Sequence, residues 1–380
     1  MSDWGQGAKN NNIGWGQGAA NNNIGWGNSH KVSWAGDTEI VGTDGDAPVN
    51  TVAPTISGTA TIGQTLTSTT GTWTSDTGVT GYLYQWYRGA TLITGATNNT
   101  YVLVLADVGF DITCKVAATD TDGTSAYVSS NAIFLFDVDY KAVLDRGTAL
   151  SYTLPTLAQQ KLQNTLLMNM KADGVWAKLD VFYNFANDGS QEFGTLNWKS
   201  PTTRQSTLVG SPNFISNQGI QGTGTSYIDT NFNPTIGTNN YVQNNASRCL
   251  YMYTARVSTN VSLDGILLST RNSMTRANAA VQRINQGATG IVPAFDYNST
   301  RGMKSIHRTN STNVELFNGT TQESRIVLSS AMENSVQTIL RGTSATVFAT
   351  HTVSMYAMGA SLVSENAAFV ADYNTYINSI

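Results

Sequence analysis

Few side chains in this sequence are spaced for covalent or metal chemistry. The three histidines, His30, His307 and His351, fall in no His-Glu-x-x-His or comparable metal spacing and stand beside no candidate nucleophile, which predicts surface or packing roles. Asp180, Asp188 and Glu192 could be imagined as the acid pair of a glycoside hydrolase, which needs a carboxyl group on each side of the scissile bond. No strand-like segment carries two acids on one face, and Asp188-Gly189 has the composition of a turn, so structural work is expected of all three. Asp120-Thr121-Asp122-Gly123 begins like a calcium loop, but the later ligands are missing and Asp-Gly is a hairpin-turn signal. Gly222-Thr223-Gly224-Thr225-Ser226 lacks the Lys and the following helix of a phosphate loop and reads as a turn. The expectation is therefore no catalytic residue, no metal site and no cofactor.

The composition narrows the partners. Charged residues make up 12% of the 380, against about 25% in an average globular chain, and the formal net charge is −4. Such a surface offers no basic field for a phosphate backbone, so nucleic acid is not an expected partner. No apolar run reaches the 18 or so residues of a membrane span, and Met1–Gly7 has neither the basic nor the apolar region of a secretory signal. Synthesis and assembly in a bacterial cytoplasm, without membrane insertion, follow as expectations. Cys114 and Cys249 fall in segments that read as different domains, which argues against a disulfide between them.

Positioning begins with a repeat. Over residues 1–36, Trp4-Gly5-Gln6-Gly7, Trp15-Gly16-Gln17-Gly18 and Trp26-Gly27-Asn28 recur with a period of 11, separated by Asn-Asn-Asn-Ile-Gly. The Gly content makes a helix costly, at about 1 kcal/mol per Gly, so extended segments with Asn/Gly turns are expected. Trp4, Trp15, Trp26 and Trp34, with Ile13 and Ile24, are too few to enclose a core yet expensive to leave wet. The arm is therefore expected to dock on a partner or on sister chains. Residues 37–50, acidic and turn-rich, read as a linker.

Residues 51–135 show short alternating strands separated by Gly, Asp and Asn turns, the pattern of an all-β sandwich. Tyr84-Gln85-Trp86-Tyr87-Arg88 places a Trp inside a strand, and Asp107 begins a corner that leads to Cys114. With Pro54 to Leu66 and Gly71-Thr72-Trp73, this segment resembles bacterial and phage immunoglobulin-like domains. The resemblance implies that Trp86, Cys114 and Asp107 belong to the core. It also implies that an apolar residue near Leu66 stands where antibody domains carry the first disulfide cysteine.

Residues 136–380 open, in this reading, with one helix beginning at Thr153-Leu154-Pro155-Thr156 and carrying Leu157, Leu162, Leu166, Leu167 and Met170 at helical spacing. Strands are expected from Asn197 to about Ala360, and a final amphipathic helix after a cap-like Ser364-Glu365-Asn366. Gly174 to Asp180, Leu196-Asn197-Trp198-Lys199 and Gly222 to Pro234 resemble a domain of phage structural proteins with a concanavalin- or laminin-G-like jelly roll. The fold class expected is thus mainly β: an extended repeat arm, an immunoglobulin-like β-sandwich, then a jelly-roll β-sandwich with flanking short helices.

These resemblances imply a non-enzymatic bacteriophage virion protein, a head fibre, capsid decoration or tail fibre. Its arm would bind other virion proteins of capsid or tail, its chains would form a homo-oligomer, with a trimer favoured, and its β domains would adhere weakly to host-surface glycans, as concave jelly-roll faces with exposed Tyr, Trp and Asn can, although no residue set stands out for it. A tail-associated glycan depolymerase and a bacterial surface adhesin are the alternatives.

Overall fold

The computed structural model describes residues 45–254, 262–265, 273–275, 282–286, 291, 294, 300–341 and 348–380. The arm with Trp4, Ile13, Trp15, Ile24, Trp26 and Trp34, as well as His30, lies outside the described residues. The described chain is mainly β and divides into two compact units, the second being Phe136–Ile380.

In the N-terminal unit the strands are β1 (Val49–Val52), β2 (Ile56–Ser57), β3 (Thr65–Ser68), β4 (Thr72–Thr74), β5 (Gly81–Arg88), β6 (Thr91–Leu92), β7 (Thr100–Val102), β8 (Asp111–Thr119), β9 (Val128–Ser129) and β10 (Ile133–Phe134). One sheet is ordered β2-β3-β7 and another β10-β8-β5-β6, with β9 against β8 and β1 paired to β4. This is an immunoglobulin-like arrangement, and the period-two alternation produces it. Leu66 and Ser68 turn inward from β3, and Ile112, Cys114 and Val116 from β8. The inner faces meet where Trp86 stacks on Tyr101, ring centroids 5.5 Å apart.

Trp86 and Cys114 lie opposite each other on β5 and β8, both wholly buried, and the indole Nε1 donates to Asn98 O at 2.8 Å. Leu66 is buried on the same face of β3, but the side chain that meets the Cys114 thiol is Ser68, two residues on. Burial pushes that thiol up. Cys114 and Cys249 are both free and buried. Gly71 is required where it stands: its φ is +74°, and a Cβ there would come within 2.4 Å of Val52 O. In the Asp-Gly turn, Asp120 Oδ1 accepts the N–H groups of Asp122 and Gly123, each at 2.9 Å, and Oδ2 accepts the Ser75 hydroxyl at 2.6 Å.

The C-terminal unit opens one helix earlier than its sequence suggested. Helix α1 (Val138–Ala149) is capped by Asp137, whose carboxylate accepts the Asp139 N–H, and it buries Tyr140, Val143, Leu144 and Gly147. The expected helix follows as α2 (Leu157–Ala172), capped by Thr156. After α3 (Val175–Lys178) the first strand, β11 (Leu179–Asn184), already begins at Leu179, ahead of Asn197: Val181, Phe182 and Tyr183 are buried in succession, so both faces of the strand are covered and it shows no polar alternation.

Helix α4 (Gln191–Gly194) precedes β12 (Thr207–Val209), β13 (Asn213–Ile215), β14 (Gly219–Gln221), β15 (Tyr227–Asp229), β16 (Ala246–Met252), β17 (Ser262–Gly265), β18 (Ser273–Thr275) and β19 (Gln282–Arg283). Then come β20 (Gly302–Arg308), β21 (Asn313–Asn318), β22 (Thr321–Ile326), β23 (Thr338–Ile339), β24 (Thr352–Gly359) and α5 (Asn366–Ile377). Among the described residues one sheet is ordered β13-β14-β24-β16-β20-β21-β22, with β11 against β24, and a second β12-β15-β23-β17-β18-β19.

Strands β16 and β24 are buried along their whole length. Cys249, Tyr251, Met303, Met355 and Ala357 pack with Leu167 and Met170 of α2 and Phe369 and Tyr373 of α5. Their neighbours in the alternation, Leu250, Met252, Ile306 and Met358, pack with Ile228 and Ile339 of the smaller sheet. The unit thus has three layers: helices, larger sheet, smaller sheet. The outer face of the larger sheet is roofed by helices, because its apolar side chains are better buried against α2 and α5 than left in water.

The Ser364-Glu365-Asn366 run also serves differently than expected. Glu365 precedes α5 without a side-chain cap, and its carboxylate accepts from Lys178 Nζ at 2.7 Å. Asn366 is buried and ties Ser305 Oγ and Gly319 O. Nearby, His307 lies wholly buried, accepts the Leu362 N–H through Nδ1, and is pushed down to about 3 by burial, so it is a neutral packing group.

One contact of α5 is pH-dependent. Asp372 faces Asp173 at the end of α2, and burial, with the Asp173 charge adding to it, pushes the Asp372 carboxyl up to about 7. Between about pH 4 and 7 the folded chain holds a proton that the unfolded chain has released, so stability falls as pH rises through that window. The expected loss is about 1–2 kcal/mol, allowing for solvent screening of a half-buried group. Urea unfolding at pH 5 and pH 8 should show it in the wild-type chain and not in Asp372→Asn; equal pH dependence in both would refute it.

Candidate functional site

An open cavity of about 640 Å³ lies in the C-terminal unit, where the end of α1, the α4 turn and the loops at 202–208 and 231 converge. Local chemistry fixes each wall. The last turn of α1 supplies Arg146, and Ser151, at φ +58°, turns the chain so that Tyr152 also lines the cavity. Ser190 caps α4 by accepting the Phe193 N–H and sets Glu192 in its first turn, while Thr195 Oγ1 donates back to Glu192 O at 2.6 Å.

The opposite wall is built from strained backbone. Arg204 sits at φ +54°, a position that an arginine holds only when its surroundings insist, and Asn231 at φ +51°, which asparagine adopts more readily. Behind them the Tyr183 hydroxyl of β11 lies 2.6 Å from Arg204 O and 2.7 Å from Thr230 O, sharing its proton between the two loops. Burial drives this phenol well above its ordinary pKa, so it remains a donor. Asn231 Nδ2 donates to Gln205 O at 2.7 Å and to Thr207 Oγ1 at 2.9 Å. Ser206 Oγ donates to Thr195 O, joining the two walls. Arg204 stacks its guanidinium 4.9 Å from the Phe232 ring centroid and donates to Asn239 Oδ1 at 3.0 Å.

The acids singled out in the sequence lie apart in function. Asp180 accepts the N–H groups of Asn240 and Tyr241, each at 2.8 Å, and fixes that loop. Asp188 accepts Thr156 N–H and Oγ1 at the start of α2. Only Glu192 lines the cavity. Gly222 approaches the backbone of Ala349 so closely that a Cβ would meet its carbonyl oxygen at 1.9 Å, which explains the glycine of that loop without a phosphate. Trp86, Cys114 and Asp107 are wholly buried in the N-terminal unit and belong to no cavity of the C-terminal one.

Sequence reasoning gave Glu192 a structural role and missed Arg146, Tyr152 and Arg204. Spacing could not have joined them, since a left-handed Arg204 carries no sequence signal. A smaller cavity of about 450 Å³ lies beside the end of α5, where Arg301 stacks 4.2 Å from the Tyr253 ring centroid. Among the described residues no group of three His, Cys, Asp or Glu side chains is placed to hold a metal ion, and no helix is long and apolar enough to cross a membrane.

The architecture is that of an immunoglobulin-like unit and a helix-backed two-sheet sandwich. No family model matches the chain, and no curated protein matches it. Among solved structures it aligns with domain 4 of AbnA, an extracellular arabinanase from Geobacillus stearothermophilus, at 11% identity and a TM-score of 0.31, over 51% of this chain and 98% of that one. A mutant Trypanosoma rangeli sialidase displaying trans-sialidase activity aligns at 10% identity and 0.37, over 85% of this chain and 53% of that one. The receptor-binding domain of botulinum neurotoxin mosaic serotype C/D aligns at 8% and 0.35, over 53% and 51%. The chain thus spans only about half the length of the sialidase and the neurotoxin domain. Likeness at this level establishes neither a shared family nor a shared ligand.

Proposed function

We propose that this chain is a non-enzymatic adhesion protein of a bacteriophage particle, anchored by residues 1–36 and holding a saccharide in the cavity between Arg146, Glu192 and Arg204. The observation that carries the adhesion reading is the preformed polar cavity, whose walls are locked by Tyr183, Ser206 and Asn231 before any ligand arrives. Its volume suits one or two sugar rings, Tyr152 offers an aromatic surface, and charged groups offer hydrogen bonds. The anchoring reading rests on the period-11 Trp repeat and on the resemblance of the chain to phage structural domains. A depolymerase would need two carboxyl groups about 5–10 Å apart around the sugar, and the cavity offers Glu192.

One experiment addresses both halves. The full chain and a chain lacking residues 1–36 are passed over immobilised capsular and O-antigen polysaccharides, released reducing ends are measured, and incorporation into particles is followed. Retention of both chains without new reducing ends, with incorporation of the full chain alone, is expected. Turnover, no retention, or normal incorporation of the truncated chain would overturn the corresponding half.

A further inference from the structure

We infer that the ligand of this cavity carries a carboxylate: it is an acidic sugar residue of a polysaccharide, held through its carboxylate by Arg146. The inference rests on the adhesion reading and goes beyond it in naming the class of sugar.

The neutral groups of the wall are largely occupied by one another. Asn231 spends both amide hydrogens on Gln205 O and Thr207 Oγ1, Ser206 donates to Thr195 O, Thr195 to Glu192 O, and Gln205 to Pro201 O. Arg146 stands apart from them. Its Nε is buried, and neither that atom nor the rest of its guanidinium has a hydrogen-bond or ion-pair partner among the described residues. Three lysines of the helical layer are paired, by contrast: Lys141 with Asp145, Lys171 with Asp137 and Asp139, Lys178 with Glu365, at 2.6–2.7 Å. The buried Nε lies out of reach of a ligand, and it is the two Nη amino groups of this cavity-lining residue, without a protein acceptor among the described residues, that are left for one.

Fork geometry and charge then select the ligand. A guanidinium presents parallel N–H groups that match two oxygens on one atom, which a carboxylate offers and a hydroxyl does not. The cavity holds Arg146 and Arg204 against Glu192, a formal excess of one positive charge. A single carboxylate neutralises it, whereas a phosphate monoester would add a second negative charge beside Glu192. Glu192, with no ion pair among the described residues, is left to accept from the hydroxyls of the same sugar ring.

The test uses the full chain and binding to polygalacturonate, alginate and polysialic acid, each beside its carboxyl-reduced counterpart, with dextran sulfate as a carboxylate-free polyanion. At least one acidic polymer should bind about tenfold or more tighter than its reduced form, and that preference should weaken at high salt. Free monosaccharide acid should compete where its neutral analogue does not, a measurement that needs no variant. Arg146→Gln should lose about tenfold in affinity for the acidic polymer, with Tm not lowered. Equal binding of acidic and reduced polymers, or tighter binding of dextran sulfate, would overturn the inference while leaving saccharide adhesion standing. Failure of every acidic polymer to bind would overturn it too, the adhesion reading being decided separately on bacterial polysaccharides.

Discussion

Replacing Asp107 by alanine should destabilise the immunoglobulin-like unit by about 2–4 kcal/mol, the cost of leaving a phenol, a backbone N–H and a partly exposed guanidinium without their shared acceptor. Asp107 is wholly buried, and its two oxygens meet Arg88 Nε at 2.8 Å, Arg88 Nη2 at 2.7 Å, the Tyr101 hydroxyl at 3.0 Å and the Val104 N–H at 2.8 Å. Burial alone would lower the Arg88 guanidinium, but its hydrogen bond to Asp107 and the Asp107 charge outweigh that and raise it. The alanine variant strands this guanidinium, a phenol and a backbone donor in one step. Calorimetry of the full chain should show the transition of the N-terminal unit falling by more than about 10 °C. Adding Arg88→Met should recover part of the loss, because a methionine needs no acceptor. A drop of only a few degrees in the single variant would mean that water enters and solvates Arg88.

That ion pair marks where sequence reading stopped. Asp107, Trp86 and Cys114 could be singled out because corner and strand chemistry is written locally, in alternation and in a short motif. Arg88 stands in the same strand run as Trp86, but its partner lies on the far side of a corner, and only the folded chain brings them together. Helix α1 was legible in principle. Asp137 caps it, and Tyr140, Val143, Leu144 and Gly147 repeat at helical spacing, yet the polar residues between them and Gly147 mask the pattern. The cavity was not legible. Its residues come from a helix end, two loops and a turn, and they converge only because Tyr183, one strand away in sequence, joins the loops at 204 and 230. Nor could the helical layer over the larger sheet be read from its strands: alternation tells that a face is apolar, not whether helix or solvent covers it.

The second large effect is expected at Trp198, the residue that joins the helical layer to the larger sheet. It is 1% exposed, with its ring centroid 5.2 Å from Tyr140 of α1 and 5.2 Å from Phe182 of β11. Phe182 in turn lies 6.3 Å from Trp176 of α3 and 6.4 Å from Phe369 of α5. The chain is pinned there by its own backbone, Trp198 N–H donating to Phe182 O at 2.9 Å, while Asn197 Oδ1 accepts the Phe182 and Lys199 N–H groups. Neighbouring aromatic rings cannot collapse into the space of an indole, so Trp198→Ala should cost about 3–5 kcal/mol and lower the transition of the C-terminal unit. Trp198→Phe separates packing from polarity. It gives up part of the ring contact but also removes an indole N–H that is buried without a partner among the described residues, so its cost should stay below about 1.5 kcal/mol. Equal losses in the two variants would show that the indole N–H is satisfied in solution, by a bound water for instance, and that the Leu196-Asn197-Trp198-Lys199 motif is kept for that hydrogen bond. The expected order, alanine costly and phenylalanine mild, would instead make the motif a device for holding α1, α3 and α5 on the sheet, and with them the Arg146 wall of the cavity.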